Sequence, residues 1–400
     1  MKLILIIIAV GLGIFLMIGC DPSSTSVSSA PEPEPVTNLF DQFIAQVDTT
    51  AEEERQALVD SFMQSIAVYA KPLTWDTTAI YLYQGNPSSS VQVPGDNNGW
   101  NPAVDVMANV DSTDFYYLIK TFPEDARLDY KFKIGNNWIL DPLNPRTVTG
   151  GFGPNSELAM PAYVDPPEIL EYPELEHGTV LQTTFDSEIL GNSRTIRVYL
   201  PSGYEAGEED YPTIYVHDGG EYYSLASMAN VLDYSIANEI CRPVIAVFVD
   251  PVNRNDEYWL NDLFMQAFVE EIVPYIDGQY HTLNDPSQRG VMGASLGGLT
   301  AFYFALMHPE IFGLCGSQSG ALQINSGEIV ALYQFNSKKD LKVYFDCGTC
   351  ETLLDDNRQM RDMLESKDYD FVYREWNEGH SWGNWRAHID EILQTLFGVD

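Results

Sequence analysis

Residues 290–302 read Gly290-Val291-Met292-Gly293-Ala294-Ser295-Leu296-Gly297-Gly298-Leu299-Thr300-Ala301-Phe302. A short apolar run, a serine between glycines, and a run of small and apolar residues predict a strand, a tight turn and a helix. The glycines remove the Cβ atoms that would collide in such a turn. The turn would raise the Ser295 hydroxyl above the end of a sheet and leave the Leu296 N–H free for an oxyanion. The stretch predicts an α/β fold with a nucleophilic serine, as in hydrolases and acyltransferases.

A nucleophilic serine needs a base and an orienting carboxylate, which follow it in this fold in the order Asp or Glu, then His. Of six histidines, only His380 and His388 lie well downstream. His380 follows the strand-like run at residues 371–374. His388 falls in an amphipathic stretch at residues 384–397 and is expected on a helix surface. We therefore predict His380 as the base.

The carboxylate is predicted after the strand-like run at residues 341–345. Glu351 follows the Gly348 turn that ends this run, where the third member of such a triad belongs. Asp346, Asp355 and Asp356 compete for the role, although Asp is also common at helix starts without any catalytic function. Glu351 is the preferred candidate.

The chain around this motif alternates predicted strands with predicted helices. The strands are predicted at residues 195–200, 212–217, 244–249, 288–293, 313–317, 341–345 and 371–374. The helices are predicted at residues 223–237, 262–276, 296–307, 356–365 and 384–396. This pattern predicts a mostly parallel sheet covered by helices on both faces, the three-layer sandwich of an α/β hydrolase.

Residues 179–400 resemble the putative esterase family, which contains enterochelin esterases, feruloyl and acetyl-xylan esterases, and mycolyltransferases. The matching motifs are the serine turn, Arg197-Val198-Tyr199-Leu200-Pro201, residues 211–220, Ser317-Gln318-Ser319-Gly320, Cys347-Gly348-Thr349-Cys350-Glu351 and Gly379-His380-Ser381-Trp382. The resemblance implies that Ser295 attacks an ester carbonyl, His380 relays its proton and Glu351 holds the imidazole. It also implies oxyanion donors at the Gly220 and Leu296 amides.

The resemblance narrows the substrate only in part. A glutamate at the acid position is nearer the enterochelin-esterase branch, and Ser381 stands where relatives often carry Asp. Trp382, beside His380, and Tyr222 are the predicted substrate contacts. The chain is expected to cleave feruloyl, acetyl or similar esters linked to polysaccharide, with a siderophore trilactone as the alternative. The alternative from a different functional class is a surface lipoprotein that binds glycans and has no catalytic activity.

Before this part, residues 72–163 show short runs of period-two alternation separated by Gly, Asn and Pro turns, which predicts a β-sandwich. These residues resemble the glycogen-binding module of the AMP-activated kinase β subunit and of branching enzymes, an early-set, immunoglobulin-like fold. The resemblance implies that Trp100 and Trp138 stack on sugars while Lys131 and Asn155 bind hydroxyls. The module can equally serve as a partner domain or as a wall of the active-site cleft.

The N-terminal sequence predicts that the protein is exported. A charged start, an apolar core and Met17-Ile18-Gly19-Cys20 resemble a lipoprotein signal peptide over residues 1–20, with Cys20 as the lipidated residue. Residues 21–36 are rich in Ser, Pro and Glu and predict a flexible tether. A helical segment is expected at 37–71 and a linker at 164–178, before the esterase domain at 179–400. The protein is thus expected to be anchored to a bacterial membrane by lipid.

Composition excludes some partners. The 58 acidic and 21 basic residues give a net charge of −37, which disfavours nucleic acid. The charge also disfavours highly anionic substrates outside a locally basic cleft. The residues expected to supply such local positive charge are Arg254, Arg289 and Arg386. Of the five cysteines, Cys347 and Cys350 have the spacing for a local disulfide, and free thiols are the alternative. No motif suggests a metal site or a cofactor.

Overall fold

Among the residues that the structure describes, eight strands join one mixed sheet in the second half of the chain, and ten form three smaller antiparallel sheets before it. The computed structural model describes residues 36–204 and 209–399. The strands there are β1 Leu73–Trp75, β2 Thr78–Gln84, β3 Val91–Gln92, β4 Ala108–Asn109, β5 Phe115–Thr121, β6 Arg127–Tyr130, β7 Phe132–Ile134, β8 Asn137–Ile139, β9 Thr147–Gly150, β10 Gly153–Ala159, β11 Thr179–Ser187, β12 Asn192–Leu200, β13 Thr213–His217, β14 Ile245–Val249, β15 Arg289–Ala294, β16 Leu314–Gln318, β17 Lys342–Gly348 and β18 Asp370–Trp376. The α-helices are α1 Val36–Val47, α2 Arg55–Ser65, α3 Gly219–Ser224, α4 Met228–Ala237, α5 Arg254–Tyr258, α6 Asp262–Ala267, α7 Val273–Gln279, α8 Leu296–Met307, α9 Ile324–Phe335, α10 Leu354–Ser366, α11 Trp382–Arg386 and α12 Ile389–Phe397.

The large sheet has the strand order β11-β12-β14-β13-β15-β16-β17-β18. Strands β11, β12 and β14 pair antiparallel, and all pairs from β14 onward are parallel. Successive residues of β13 point to opposite faces, as the period of a strand requires. Tyr215 joins a core with α8, while Ile214 and Val216 join a second core with α4 and α12. The predicted α/β class is therefore confirmed, with helices on both faces of the sheet.

Most predicted elements of this half are present, within a few residues. Helix α8 has the predicted bounds. The helix predicted at 384–396 is instead two helices, α11 and α12, which are separated at His388. The helix predicted at 262–276 contains a π-helical turn at Phe268–Ile272.

The strands before residue 160 form what we call the N-terminal sheets, β1–β10. One face of β2 packs through Tyr81 on β6, β7 and β10, and the other face packs through Ile80 and Leu82 on α1 and α2. Residues from Val36 onward form one compact unit. An immunoglobulin-like sandwich and the domain boundaries stay predictions.

The predicted signal peptide, Cys20 and residues 21–35 of the predicted tether lie outside the described residues. Within residues 36–204 and 209–399, the helices are too short or too polar to span a bilayer.

Candidate active site

Ser295 occupies a sharp turn between β15 and α8. Its backbone has φ 57° and ψ −118°, a conformation that costs a non-glycine residue about 1–3 kcal/mol and must be held by its surroundings. A Cβ built on Gly293 would lie 2.6 Å from the Gly297 carbonyl carbon, so that the turn requires glycine there. The Ser295 N–H donates to the Gln318 carbonyl oxygen at 2.9 Å. Strand β16 therefore helps to fix the turn.

His380 connects this serine to a carboxylate. Its Nε2 lies 3.0 Å from Oγ of Ser295, and its Nδ1 lies 2.8 Å from Oε2 of Glu351. The imidazole is partly exposed, whereas the Glu351 side chain is fully buried. The structure thus brings together the three residues selected from the sequence. In this arrangement a carboxylate holds the Nδ1 proton, and Nε2 is free to accept one from the hydroxyl.

Several donors anchor Glu351. Its Oε1 accepts hydrogen bonds from Oγ of Ser319 at 2.6 Å and from the Gly348 N–H at 3.0 Å. Ser319 in turn accepts a bond from Nε1 of Trp385 at 3.1 Å. These bonds orient Oε2 toward His380. Sequence reasoning missed this role of Ser319, although the motif that contains it carried part of the family resemblance.

The competing carboxylates do not contact His380. Asp346 is buried, which raises its pKa to about 7, and it accepts a bond from the Tyr344 hydroxyl at 3.2 Å. Asp355 is exposed at the start of α10, beside the half-buried Asp356. Glu351 alone of the four candidates bonds the imidazole.

Aromatic rings support the histidine from behind. Trp385 meets the His380 ring edge-on at 4.9 Å between centroids, Trp382 meets Trp385 at 4.9 Å, and Tyr222 meets Trp382 at 5.0 Å. Trp382 lines the cavity above Ser295. Tyr222 does not, because its side chain is fully buried and its hydroxyl donates to Oε1 of Gln318 at 2.8 Å. The expectation that Tyr222 contacts substrate is corrected: it packs beneath Trp382.

The two predicted oxyanion donors differ. Leu296 lines the cavity and is the first residue of α8, so that its N–H is among those a helix leaves without an internal partner. The Gly220 N–H instead donates to Oδ1 of Asp250, which also pairs with Arg197 through Oδ2 at 2.9 Å. Because this carboxylate occupies the Gly220 amide, the assignment of Gly220 as an oxyanion donor is wrong for this structure.

An ion pair lies beside the turn. Nε and Nη2 of Arg254 donate to the two carboxylate oxygens of Asp218 at 2.8 and 2.7 Å. Arg254 lines the cavity, and its Nη2 lies 3.5 Å from the Ala294 carbonyl oxygen. Burial raises the pKa of Asp218, and the guanidinium opposes that shift. The positive charge of Arg254 is therefore largely balanced.

The site opens into a cavity of about 1050 Å³. The catalytic candidates line one side, and the N-terminal sheets and their loops contribute another. All four residues predicted to bind sugars line this cavity, namely Trp100, Lys131, Trp138 and Asn155. A ligand in contact with them would therefore share the space above Ser295.

The N-terminal sheets also hold the loop that carries His380. The Arg127 N–H donates to the Asn377 carbonyl oxygen at 3.1 Å, and Nη1 of Arg127 donates to Oγ of Ser381 at 3.0 Å. The guanidinium is fully buried and pairs with Glu157 and Asp129, each at 2.6 Å. Two strongly paired carboxylates thus fix Arg127 where it supports the loop.

Neither a disulfide nor a metal cluster is found in the described part of the chain. Cys241, Cys315, Cys347 and Cys350 are free thiols, so that the alternative of a local Cys347–Cys350 bridge is not realised. Within residues 36–204 and 209–399, no group of three or more His, Cys, Asp or Glu side chains is arranged to hold a metal ion.

Comparison with known proteins identifies relatives of the second half. The sequence profile of the family described as "Putative esterase" matches residues 187–396. The endo-1,4-beta-xylanase/feruloyl esterase of Xylanibacter ruminicola is 26% identical over 56% of this chain, a match that spans 32% of that longer protein.

Other matches extend into the N-terminal sheets. The iron(III) enterobactin esterase of Escherichia coli K12 is 25% identical over 79% of this chain and 83% of its own length. The crystal structure of the ferric enterobactin esterase from Salmonella typhimurium superposes with a TM-score of 0.71 at 21% identity, covering 80% of this chain and 93% of that one. At that identity the likeness shows the fold alone.

Proposed function

Because this chain belongs to the putative esterase family and is a carboxylic ester hydrolase, we propose that it acts through an acyl-serine intermediate on Ser295. The hydrogen-bonded chain from Ser295 through His380 to Glu351, with links of 3.0 and 2.8 Å, carries this proposal. The strained serine backbone supports it, since strain of this kind concentrates at functional sites.

The first half of the reaction forms the acyl-enzyme. Oγ of Ser295 attacks the ester carbonyl carbon while Nε2 of His380 takes the hydroxyl proton. The carbonyl oxygen becomes an oxyanion, which the Leu296 N–H stabilises at the helix N-terminus. When the intermediate collapses, the bond to the alcohol oxygen breaks and His380 returns the proton to that oxygen. The buried Glu351 carboxylate stabilises the imidazolium throughout.

The second half releases the acid. A water molecule gives its proton to Nε2 of His380 and attacks the acyl carbon. Collapse then breaks the bond to Oγ of Ser295, and the proton returns to the serine. The carboxylic acid leaves and the enzyme is restored. His380 thus serves as base and acid in each half, which its contact with Oγ on one side and Glu351 on the other supports.

For the substrate, we favour feruloyl, acetyl or similar esters linked to polysaccharide. The match to a xylanase/feruloyl esterase supports this class, as does a cavity large enough for an ester with a bulky remainder.

A siderophore trilactone is the second candidate. The match to the enterobactin esterase of Escherichia coli K12 favours it because that match extends beyond the family profile and covers 79% of this chain. The N-terminal sheets that this match includes also line the cavity around Ser295.

Ester turnover tests the mechanism. Hydrolysis of p-nitrophenyl acetate, methyl ferulate and a cyclic catechol trilactone is measured for the wild type and for Ser295→Ala and His380→Gln. We expect both variants to lose at least about a thousandfold in kcat on every ester that the wild type cleaves. The preferred ester among the three separates the two substrate classes.

The surface pair of His308 and Glu310 supplies the matched control. Nδ1 of His308 lies 2.8 Å from Oε1 of Glu310 outside the cavity, so that His308→Gln removes a similar pair and should leave turnover unchanged. Equal rates for the wild type and Ser295→Ala would contradict the acyl-serine mechanism.

A further inference from the structure

We propose that Trp100 and Trp138 hold a phenolic ring of the substrate, remote from the bond that is cleaved. The N-terminal sheets would then set the specificity of Ser295 for esters that carry such a ring. This inference rests on the proposed ester hydrolysis and adds a ligand class and two specificity-determining residues to it.

The two indoles form an ordered platform. Their centroids lie 6.5 Å apart with 31° between the ring planes, close enough for one planar ligand to touch both. Trp100 has a φ of 60°, which is rare for a bulky residue, and its Nε1 donates to Oδ1 of Asp96 at 3.0 Å. Asp96 is itself fixed because its Oδ2 accepts the Asp129 N–H at 2.7 Å. Trp100 is therefore held in this orientation before any ligand binds.

The platform is exposed toward the reacting serine. Trp138 is 44% exposed, and Phe152, on the turn between β9 and β10, is fully exposed. Both line the cavity that Ser295 and His380 also line. Large aromatic side chains left open to water on one cavity wall gain free energy when an apolar ring face covers them. A ligand of this kind, attached to the ester, would cross from one wall to the other.

The polar groups beside the indoles select for hydroxyls. In the described part of the chain, the Lys131 ammonium forms no ion pair or hydrogen bond, and Lys131 lines the same cavity as Trp138. Nδ2 of Asn155 donates to Oδ2 of Asp129 at 2.9 Å, which leaves its Oδ1 as an acceptor. A weakly acidic phenol can donate to that oxygen and accept from the ammonium.

Kinetics on a matched series of esters test the proposal. Trp138→Ala and Trp100→Ala are compared with the wild type on p-nitrophenyl acetate, whose acetyl group is small, and on a cyclic trilactone with three catechol rings. We expect kcat/KM on the trilactone to fall about tenfold, mainly through KM, because one stacking contact is lost. For Trp138→Ala, turnover of p-nitrophenyl acetate should stay within about twofold, and Trp138→Phe should restore most of the loss.

A second measurement separates ring binding from chemistry. Ser295→Ala, which should bind without turnover, is titrated with the trilactone and with ferulate, alone and combined with Trp138→Ala. We expect the dissociation constant for both ligands to rise about tenfold in the combined variant. If Ser295→Ala still hydrolyses the esters, the acyl-serine mechanism fails, while this binding difference still reports on the ring site.

Two results would overturn the inference. One is equal affinity of Ser295→Ala with and without Trp138→Ala for both phenolic ligands. The other is a loss of affinity for an oligosaccharide such as maltoheptaose with no change toward either phenolic ligand, which would make the indoles a sugar site. Phe335→Ala is the control, since Phe335 is exposed on α9 and does not line the cavity.

Discussion

Glu351, the proposed acid, is held by hydrogen bonds from groups at the ends of two neighbouring strands. Its position after the turn at the end of a predicted strand identifies it in the sequence. Its anchoring by Ser319 and Gly348 depends on β16 and β17 lying side by side, which no local pattern encodes. The same limit explains Gly220, whose amide is occupied by Asp250 from the end of a neighbouring strand.

His388 illustrates a different limit. The amphipathic pattern of residues 384–397 predicted it on a helix surface, but its ring stacks on Trp376 at 3.9 Å and its Nε2 lies 2.8 Å from Oε1 of Glu378. It stands at the break between α11 and α12, before the first turn of α12. When one periodic pattern spans two helices, it does not predict correctly which way the residue between them points.

The first residue-scale prediction concerns Glu351→Gln. The glutamine amide cannot hold the Nδ1 proton of His380 as the carboxylate does, and it leaves the imidazolium without a counter-charge. We expect kcat on p-nitrophenyl acetate to fall by roughly 10²–10⁴-fold while KM changes little. Single-turnover and steady-state kinetics check this. Glu310→Gln, at the surface pair with His308, should have no effect, and a Glu351→Gln variant with full activity would contradict the assignment of the acid.

Strands and helices with a strong local pattern can be predicted from the sequence, whereas the contacts between these elements cannot. The run of small and apolar residues after Ser295 gives α8 with its predicted bounds. In contrast, the alternating residues 128–133 read as one continuous run, but Lys131 separates β6 from β7, which join different sheets. The Lys131 N–H bonds the Pro94 carbonyl oxygen at this break. Such a break follows from the packing of two sheets rather than from local propensity.

Contact between the N-terminal sheets and the His380 loop gives the second prediction. A Cβ built on Gly379 would lie 2.1 Å from Cγ of Asp96, so that Gly379→Ala must push the loop and His380 away. We expect kcat to fall about 10- to 100-fold from misplacement of the base and the free energy of unfolding to fall by about 1–3 kcal/mol. Ester kinetics and thermal unfolding measure the two effects.

Two further variants control this prediction. Gly278→Ala in α7 meets no atom within 4 Å, so that it should leave activity unchanged and should not lower stability. Asp96→Gly combined with Gly379→Ala removes both the Asp96 Cγ and its Cβ, which would lie 2.4 Å from the new methyl group, and should restore part of the activity. If Gly379→Ala were as active as the wild type, the loop would not depend on this contact.

At the scale of the whole molecule, buried acids make stability depend on pH. Burial, with nearby acids, raises the pKa of Asp96 to about 8, and burial raises those of Glu168 and Asp346 to about 7. In the unfolded chain these carboxyls release their protons near pH 4. Between about pH 4 and the raised pKa of each group, the folded state binds more protons than the unfolded state. The free energy of unfolding therefore falls as pH rises. Burial lowers the pKa of His217 to about 3, which has the opposite effect below pH 6.5.

We therefore expect the melting temperature to be highest on the acid side of neutrality and to decline from about pH 6 to 9. Each proton contributes at most about 1.4 kcal/mol per pH unit. Thermal unfolding across this range checks the slope, and Asp96→Asn should flatten it above pH 7. Asp355→Asn, at an exposed carboxyl, should leave the slope unchanged. A melting temperature that rises steadily from pH 6 to 9 would contradict the assignment.

The contact of Arg127 with Ser381 links positions 254 residues apart, and it has a consequence for biosynthesis. The N-terminal sheets leave the ribosome before the segment with the proposed catalytic base, which must dock onto a surface that was made long before. Nascent chains that stop before residue 377 would contain the proposed nucleophile, Ser295, without its proposed proton acceptor, His380. The proposed mechanism therefore requires that translation has passed the His380 loop.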